Sequence, residues 1–226
     1  MRRLYLIFKN MKKTATLALS FFLLMAFAGC TSLVRSTAQS AIRNSTAFSD
    51  KITINSIPKT YDEFESLYYE LATSTEGCVA LELVAMEMYR VNSGVGARCL
   101  KLINTDTNYS TMMRRLPEIF REGDSYARPY LVASYMEGAS PENGYNPNKP
   151  YVIRVQRNSA QPSQYSEMMQ GTTYPMKVYC YGADTPWRPI TIIKLDGDQY
   201  YKVHEASSVT LQCKEIRRTQ TFNGLD

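Results

Sequence analysis

The spacing of apolar and polar positions divides the chain into an apolar run near its start, a helical stretch and a strand-rich stretch. Thr60-Tyr61-Asp62-Glu63 is a capping box, with a hydroxyl to accept from the first free amides and a carboxylate three residues on to reach back. It opens a helix over residues 61–72. Thr73-Ser74-Thr75-Glu76 repeats the signal before residues 77–91. There Val79, Ala80, Leu83, Val84, Met86 and Met88 occupy nearly the whole circumference and leave Glu82 and Glu87 as the polar positions, the pattern of a helix buried on most sides. Asn92-Ser93-Gly94 ends it, and residues 95–103 form a third helix. Residues 111–120 are helical in pattern, but Pro117 makes them two short pieces or a helix that begins at the proline. Residues 126–136 fit a strand or a helix equally.

On either side of these the period shortens to two. Residues 51–55 form a short alternating strand, residues 138–150 a loop dense in Pro, Gly and Asn, and residues 151–157, 176–181, 190–195 and 199–204 four strands. Asp196-Gly197 supplies the positive backbone angle of a tight hairpin, so the last two strands run antiparallel. Met176, Val178 and Cys180 alternate with Lys177, Tyr179 and Tyr181, one packed face and one wetter face. The fold class is α+β: a helical N-terminal half packed on a three- to five-stranded antiparallel sheet formed by the C-terminal half. Residues 51–217 make a single domain, and residues 218–226 are expected to be a flexible tail.

The first apolar run changes the picture of the whole chain. Met11-Lys12-Lys13, the run from Thr14 to Ala28 and the small residues before Cys30 form an export signal, with Met11 the expected start of translation. Ala28-Gly29-Cys30 resembles the lipobox of bacterial lipoproteins, in which the cysteine is acylated and the chain is cut before it, although Phe27 stands where that pattern prefers Leu. Residues 1–29 are then a leader that is removed, Cys30 the lipidation site, and residues 30–50 a tether rich in Ser, Thr and Ala. An ordinary signal peptide that ends by chance at a cysteine is the alternative. Thr31, rather than an Asp, follows Cys30, which favours the outer membrane, and the lack of an acidic cluster there favours a domain facing the periplasm.

Charge follows from the leader. The chain has 26 Lys and Arg against 21 Asp and Glu, but Arg2, Arg3, Lys9, Lys12 and Lys13 all precede Cys30. The mature protein is neutral, so nothing in its charge asks for nucleic acid.

Cys78, Cys99, Cys180 and Cys213 remain in the folded part. A hairpin of helices separates Cys78 from Cys99 beyond bridging distance; Cys180 with Cys213 is the possible disulfide, and four buried thiols are the other reading. Their spacing fits no zinc knuckle, and no metal or cofactor is expected. His204 is the one histidine, and no nucleophile motif accompanies it. Asp196-Gly197-Asp198 lacks the further oxygens of a calcium loop, and Gly94-Val95-Gly96 is a helix-to-helix turn rather than a nucleotide fingerprint.

Tyr179, Tyr181, Tyr200, Trp187 and Arg188 fall on or near the sheet, either to pack it against its loops or to form a platform for a sugar, peptide or protein. Thr73-Ser74-Thr75-Glu76-Gly77, the run from Gly138 to Tyr145, and Arg188-Pro189-Ile190-Thr191 leading to Glu205-Ala206-Ser207-Ser208 together resemble DUF6935, an uncharacterised bacterial family classed as a domain of unknown function. The resemblance spans residues 54–217 and implies one domain but no activity. In it, Pro141 and Asn143-Gly144 shape a loop that Tyr145 anchors by its ring, and Glu142 either staples that loop or lines a site.

These readings converge on a non-catalytic envelope lipoprotein. The membrane is a partner through the lipid on Cys30, and a protein, peptide or glycan binds around Tyr179, Tyr181, Trp187, Arg188, Glu142 and Tyr145. The competing class is an enzyme acting on an envelope polymer, which requires His204, or Glu142, Asp184 and Glu205, to converge in a cleft.

Overall fold

A computed structural model describes residues 50–121, 123–158 and 170–226. The leader, Cys30 and the tether up to residue 49 lie outside them. The fold is α+β. Strand β1 (Asp50–Ile54) is followed by helices α1 (Tyr61–Leu71), α2 (Thr75–Val91), α3 (Ser93–Ile103) and α4 (Asp106–Ile119), then by β2 (Tyr151–Arg157), β3 (Gly171–Tyr179), β4 (Trp187–Leu195) and β5 (Lys202–Glu205). The strands form one antiparallel sheet in the order β1-β2-β3-β4-β5.

Helix α2 is the axis of the core. It touches all five strands, while α1, α3 and α4 pack around the rest of it. Its residues from Gly77 to Met88 are all buried, which is why the sequence there is apolar on every side. Glu82 and Glu87, read from the sequence as the polar edge of this helix, are also fully buried. Ser74 caps α2 by accepting from the Gly77 amide at 3.0 Å. Asn92 ends α2 and starts α3, accepting from Gly94 and Val95. At Gly96 an added Cβ would lie 2.1 Å from the Tyr89 backbone, so only glycine lets α3 fold back this closely on α2.

Three local expectations need correction. Helix α4 is one helix that begins at Asp106, because Thr105 caps it, and Pro117 sits in its last turn, where it removes a single backbone donor. The turn after β4 is wider than a two-residue hairpin: Gly197 has its positive φ of 86°, but the Tyr200 ring is drawn to Tyr68 and Tyr69 and the Tyr201 amide to the Ala72 carbonyl at 2.8 Å. Strand pairing resumes only at Lys202. Residues 126–136 are neither strand nor α-helix; they turn and end in one short 3-10 helix, Ala133–Tyr135, with residues 130–136 all buried.

Residues 218–226, expected to be a flexible tail, are instead docked. Leu225 is buried, Asn223 donates its amide to Asn146 at 2.9 Å, and Asp226 takes the Ile57 amide at 3.1 Å. Fully buried Glu87 pairs with Arg90 at 2.6 Å and accepts from the Leu225 backbone, and Arg90 lies 5.4 Å from the Phe222 ring centroid. The tail therefore satisfies a charge pair that α2 carries inside the fold.

Candidate functional site

Cross-strand register decides which residues share a face. Ile52, Ile153, Val155, Met176, Val178, Ile190, Ile192 and Val203 are buried against the helices. The opposite, outer face carries Lys51 beside Arg154, Gln156 beside Lys177, and Tyr179 beside Trp187. On it the Tyr179 ring lies 4.8 Å from Tyr181 and 5.0 Å from Trp187, edge to face in both pairs. The Arg154 guanidinium stands 5.0 Å from the Tyr179 centroid and 5.8 Å from that of Trp187. All four residues are half-buried. Burial, and then the nearby Glu137 carboxylate, pushes the Tyr181 phenol above its ordinary pKa, so it stays a neutral donor. Three aromatic rings and one guanidinium on this half-buried face can stack on a sugar or aromatic ring.

The remaining sequence candidates lie elsewhere. Arg188 pairs across the strands with Val178, on the helix-side face, and donates to the Gln212 carbonyl at 3.3 Å. Alternation along β4 turns it away from Trp187. Tyr145 is fully buried, stacked on Tyr130 at 4.9 Å, with its hydroxyl donating to the Lys214 carbonyl at 2.8 Å. An added Cβ on Gly182 would meet that hydroxyl at 2.2 Å, so a bare backbone makes room for the ring. Ser140 and Asn143 cap each other around Pro141, Gly144 turns with φ 69°, and Glu142 pairs with Arg217 at 3.0 Å. Glu142 and Tyr145 thus staple the loop of residues 138–146 to the C-terminal segment.

The acids of the enzyme reading are each engaged by a partner of their own. Glu142 is held below the usual carboxylate range by its own backbone amide, by Ser140 and by Arg217. Asp184 pairs with Lys214 at 2.7 Å, and Glu205 accepts from the Ser207 amide at 2.7 Å. All three are exposed. His204 is half-buried, burial lowers its pKa, and its Nδ1 has no partner. Among the described residues, no group of His, Cys, Asp and Glu could hold a metal ion, and no helix is long and apolar enough to cross a membrane.

The bridge offered for Cys180 and Cys213 is not formed. All four described cysteines are free and buried. Cys180 lies 3.2 Å from the Ser134 hydroxyl, and Cys213 contacts Ser134 and Tyr145, so each thiol is engaged by a polar neighbour.

A model of the family described as a domain of unknown function, DUF6935, matches residues 56–217. The chain belongs to the DUF6935 family. No curated protein and no solved structure matches it. The matched span of this DUF6935 protein holds the whole aromatic face, the stapled loop and the helical layer, whereas β1 and the docked tail fall outside it.

Two features of the DUF6935 domain escaped sequence reading. One is Arg154, whose place beside Tyr179 and Trp187 was encoded in the alternation of Tyr151 to Arg157 but needed the strand register to be read. The other is a cleft of about 400 Å³ lined by Arg114, Arg115, Glu118, Tyr126, Arg128 and Thr210, among others. None of the acids of the enzyme reading lines it. It gathers α4, the turn after it and the segment after β5, which no local motif connects.

Proposed function

We propose that this protein is a lipid-anchored bacterial envelope domain that binds a partner on the outer face of its sheet and performs no catalysis itself. The observation that carries this reading is the convergence of Tyr179, Tyr181 and Trp187 around Arg154 on a half-exposed face. Tyr, Trp and Arg are the residue types that dominate binding energy at interfaces, because each offers a large rigid surface with a polar edge. The partner is a protein, peptide or glycan; the neutral mature chain supports no attraction to nucleic acid.

The anchor is the acylated thiol of Cys30, and the domain hangs from residues 31–49 on the periplasmic side of the outer membrane. Two measurements test the reading. Labelled fatty acid enters the wild-type chain in cells and not Cys30→Ser, with the modified protein in the outer-membrane fraction. Trp187→Ala and Tyr179→Ala lose the partner retained by the wild-type domain while keeping its thermal midpoint within a few degrees. Label persisting in Cys30→Ser contradicts the anchor, and undiminished binding by both aromatic variants contradicts the face.

A further inference from the structure

We infer that the cleft between α4 and the segment after β5 is a binding site for a phosphate group, carried either by a lipid headgroup or by a small soluble phosphoester. This stands apart from the aromatic face, which shares no residue with it.

Three arginines line one cleft, and their pairing is incomplete. Arg128 is 7% exposed. It donates to the Ser125 and Ala127 carbonyls and, at 2.9 Å, to Glu215, while its buried Nε–H has no partner. Glu215 is its one carboxylate, and that side chain is 74% exposed. A buried cation that shares its charge with a single solvated acid is under-compensated. Arg115 donates to the Ser207 carbonyl and the Thr210 hydroxyl, neither of them charged. Arg114 is exposed and has no ion pair among the described residues. Glu118 is the opposing carboxylate in the lining. The cleft keeps an excess of positive charge, presented as planar forks that match phosphate oxygens two at a time.

The rim adds a second observation. Tyr126, which lines the cleft, is 72% exposed. It is one of the four large apolar side chains left exposed among the described residues. Cations in the lining and an exposed aromatic ring beside them suit a phospholipid at the boundary between headgroups and acyl chains. A soluble phosphoester would use the arginines alone.

The test is thermal unfolding of the protein, as purified from its host, in neutral detergent micelles, which cover its N-terminal membrane anchor equally in every sample. Phosphatidylglycerol added to the micelles, diacylglycerol added as the phosphate-free control, and glycerol phosphate in solution form the three arms. A saturable rise in midpoint with phosphatidylglycerol and none with diacylglycerol is expected. The half-saturating concentration rises about fivefold in Arg114→Gln and about thirtyfold in Arg114→Glu, the effect of removing one and two charge units beside an anionic headgroup. Both variants alter an exposed, unpaired side chain and keep the fold. A response to glycerol phosphate equal to that of the lipid assigns the site to the soluble ester, and a response to the lipid alone, weakened in Tyr126→Ser, assigns it to the headgroup; either supports the phosphate site. No midpoint change with either compound, or the same half-saturation in Arg114→Glu as in wild type, overturns it.

Discussion

The Glu82 carboxyl accepts from Asn104 Nδ2 at 2.8 Å in the closed centre of the molecule, where both side chains are almost without solvent. Asn104 in turn takes a hydrogen bond from Asn108, whose Oδ1 accepts from the Ala206 amide at 3.0 Å. This chain ties α2, the α3–α4 junction and the end of β5 to one another.

The network makes stability depend on pH with a definite sign. Burial raises the Glu82 pKa from 4.5 to about 8, and the two asparagines offset only part of that rise. The folded chain keeps a proton that the unfolded chain releases, so this group's contribution is full below pH 4.5, declines as pH rises to about 8 and is level above it. Glu82→Gln keeps the neutral shape and removes the decline. At roughly 1.4 kcal/mol per pKa unit it becomes more stable than wild type by a few kcal/mol at alkaline pH, with the difference vanishing under acid. Urea unfolding of both chains across this range checks it; parallel curves would count against a neutral Glu82.

Ending the chain at Arg217 tests whether the docked tail matters. The truncation removes the Leu225 side chain and exposes the Glu87–Arg90 pair, and a loss of about 2–4 kcal/mol is expected from the apolar burial and the uncovered charge. Calorimetry that finds the truncated chain as stable as wild type would return residues 218–226 to a flexible tail.

Tyr145 acts through its ring and its hydroxyl in separable amounts. Tyr145→Phe leaves the Lys214 carbonyl without its donor and costs about 1–2 kcal/mol. Tyr145→Ala also empties the stack with Tyr130 and costs about 3–5 kcal/mol. Denaturant midpoints separate the two; equal losses would mean that the ring packs nothing.

Much of the architecture was legible in local chemistry. The hydroxyls of Thr60 and Ser74 mark the starts of two helices because free amides need acceptors, and the apolar circumference of residues 77–91 announces a helix enclosed by its neighbours. The period-two stretch from Tyr151 to Arg157 is a strand to the residue. Polar letters misled where they are paired out of sight. Glu82 and Glu87 look like a solvated edge, yet Asn104 and the Leu225 backbone, from elsewhere along the chain, and Arg90, one turn on in the same helix, make burial tolerable. The binding face was half legible for a related reason. The pattern of one strand and its neighbour points to Tyr179, Tyr181 and Trp187, but Arg188 and Arg154 exchange places once the register is known, because one residue of offset carries a side chain to the opposite face.

The outer face can be interrogated directly, since Trp187 is the chain's one tryptophan and stands within it. Its fluorescence is to be followed while the wild-type protein is titrated with peptidoglycan fragments, envelope oligosaccharides and periplasmic peptides. A saturable change with one class of ligand, lost in Tyr179→Ala and weakened about tenfold in Arg154→Gln, is the predicted result. A ligand that the protein binds, as measured calorimetrically, without any change in Trp187 emission and with unaltered affinity in Tyr179→Ala would contradict the outer face as the binding surface.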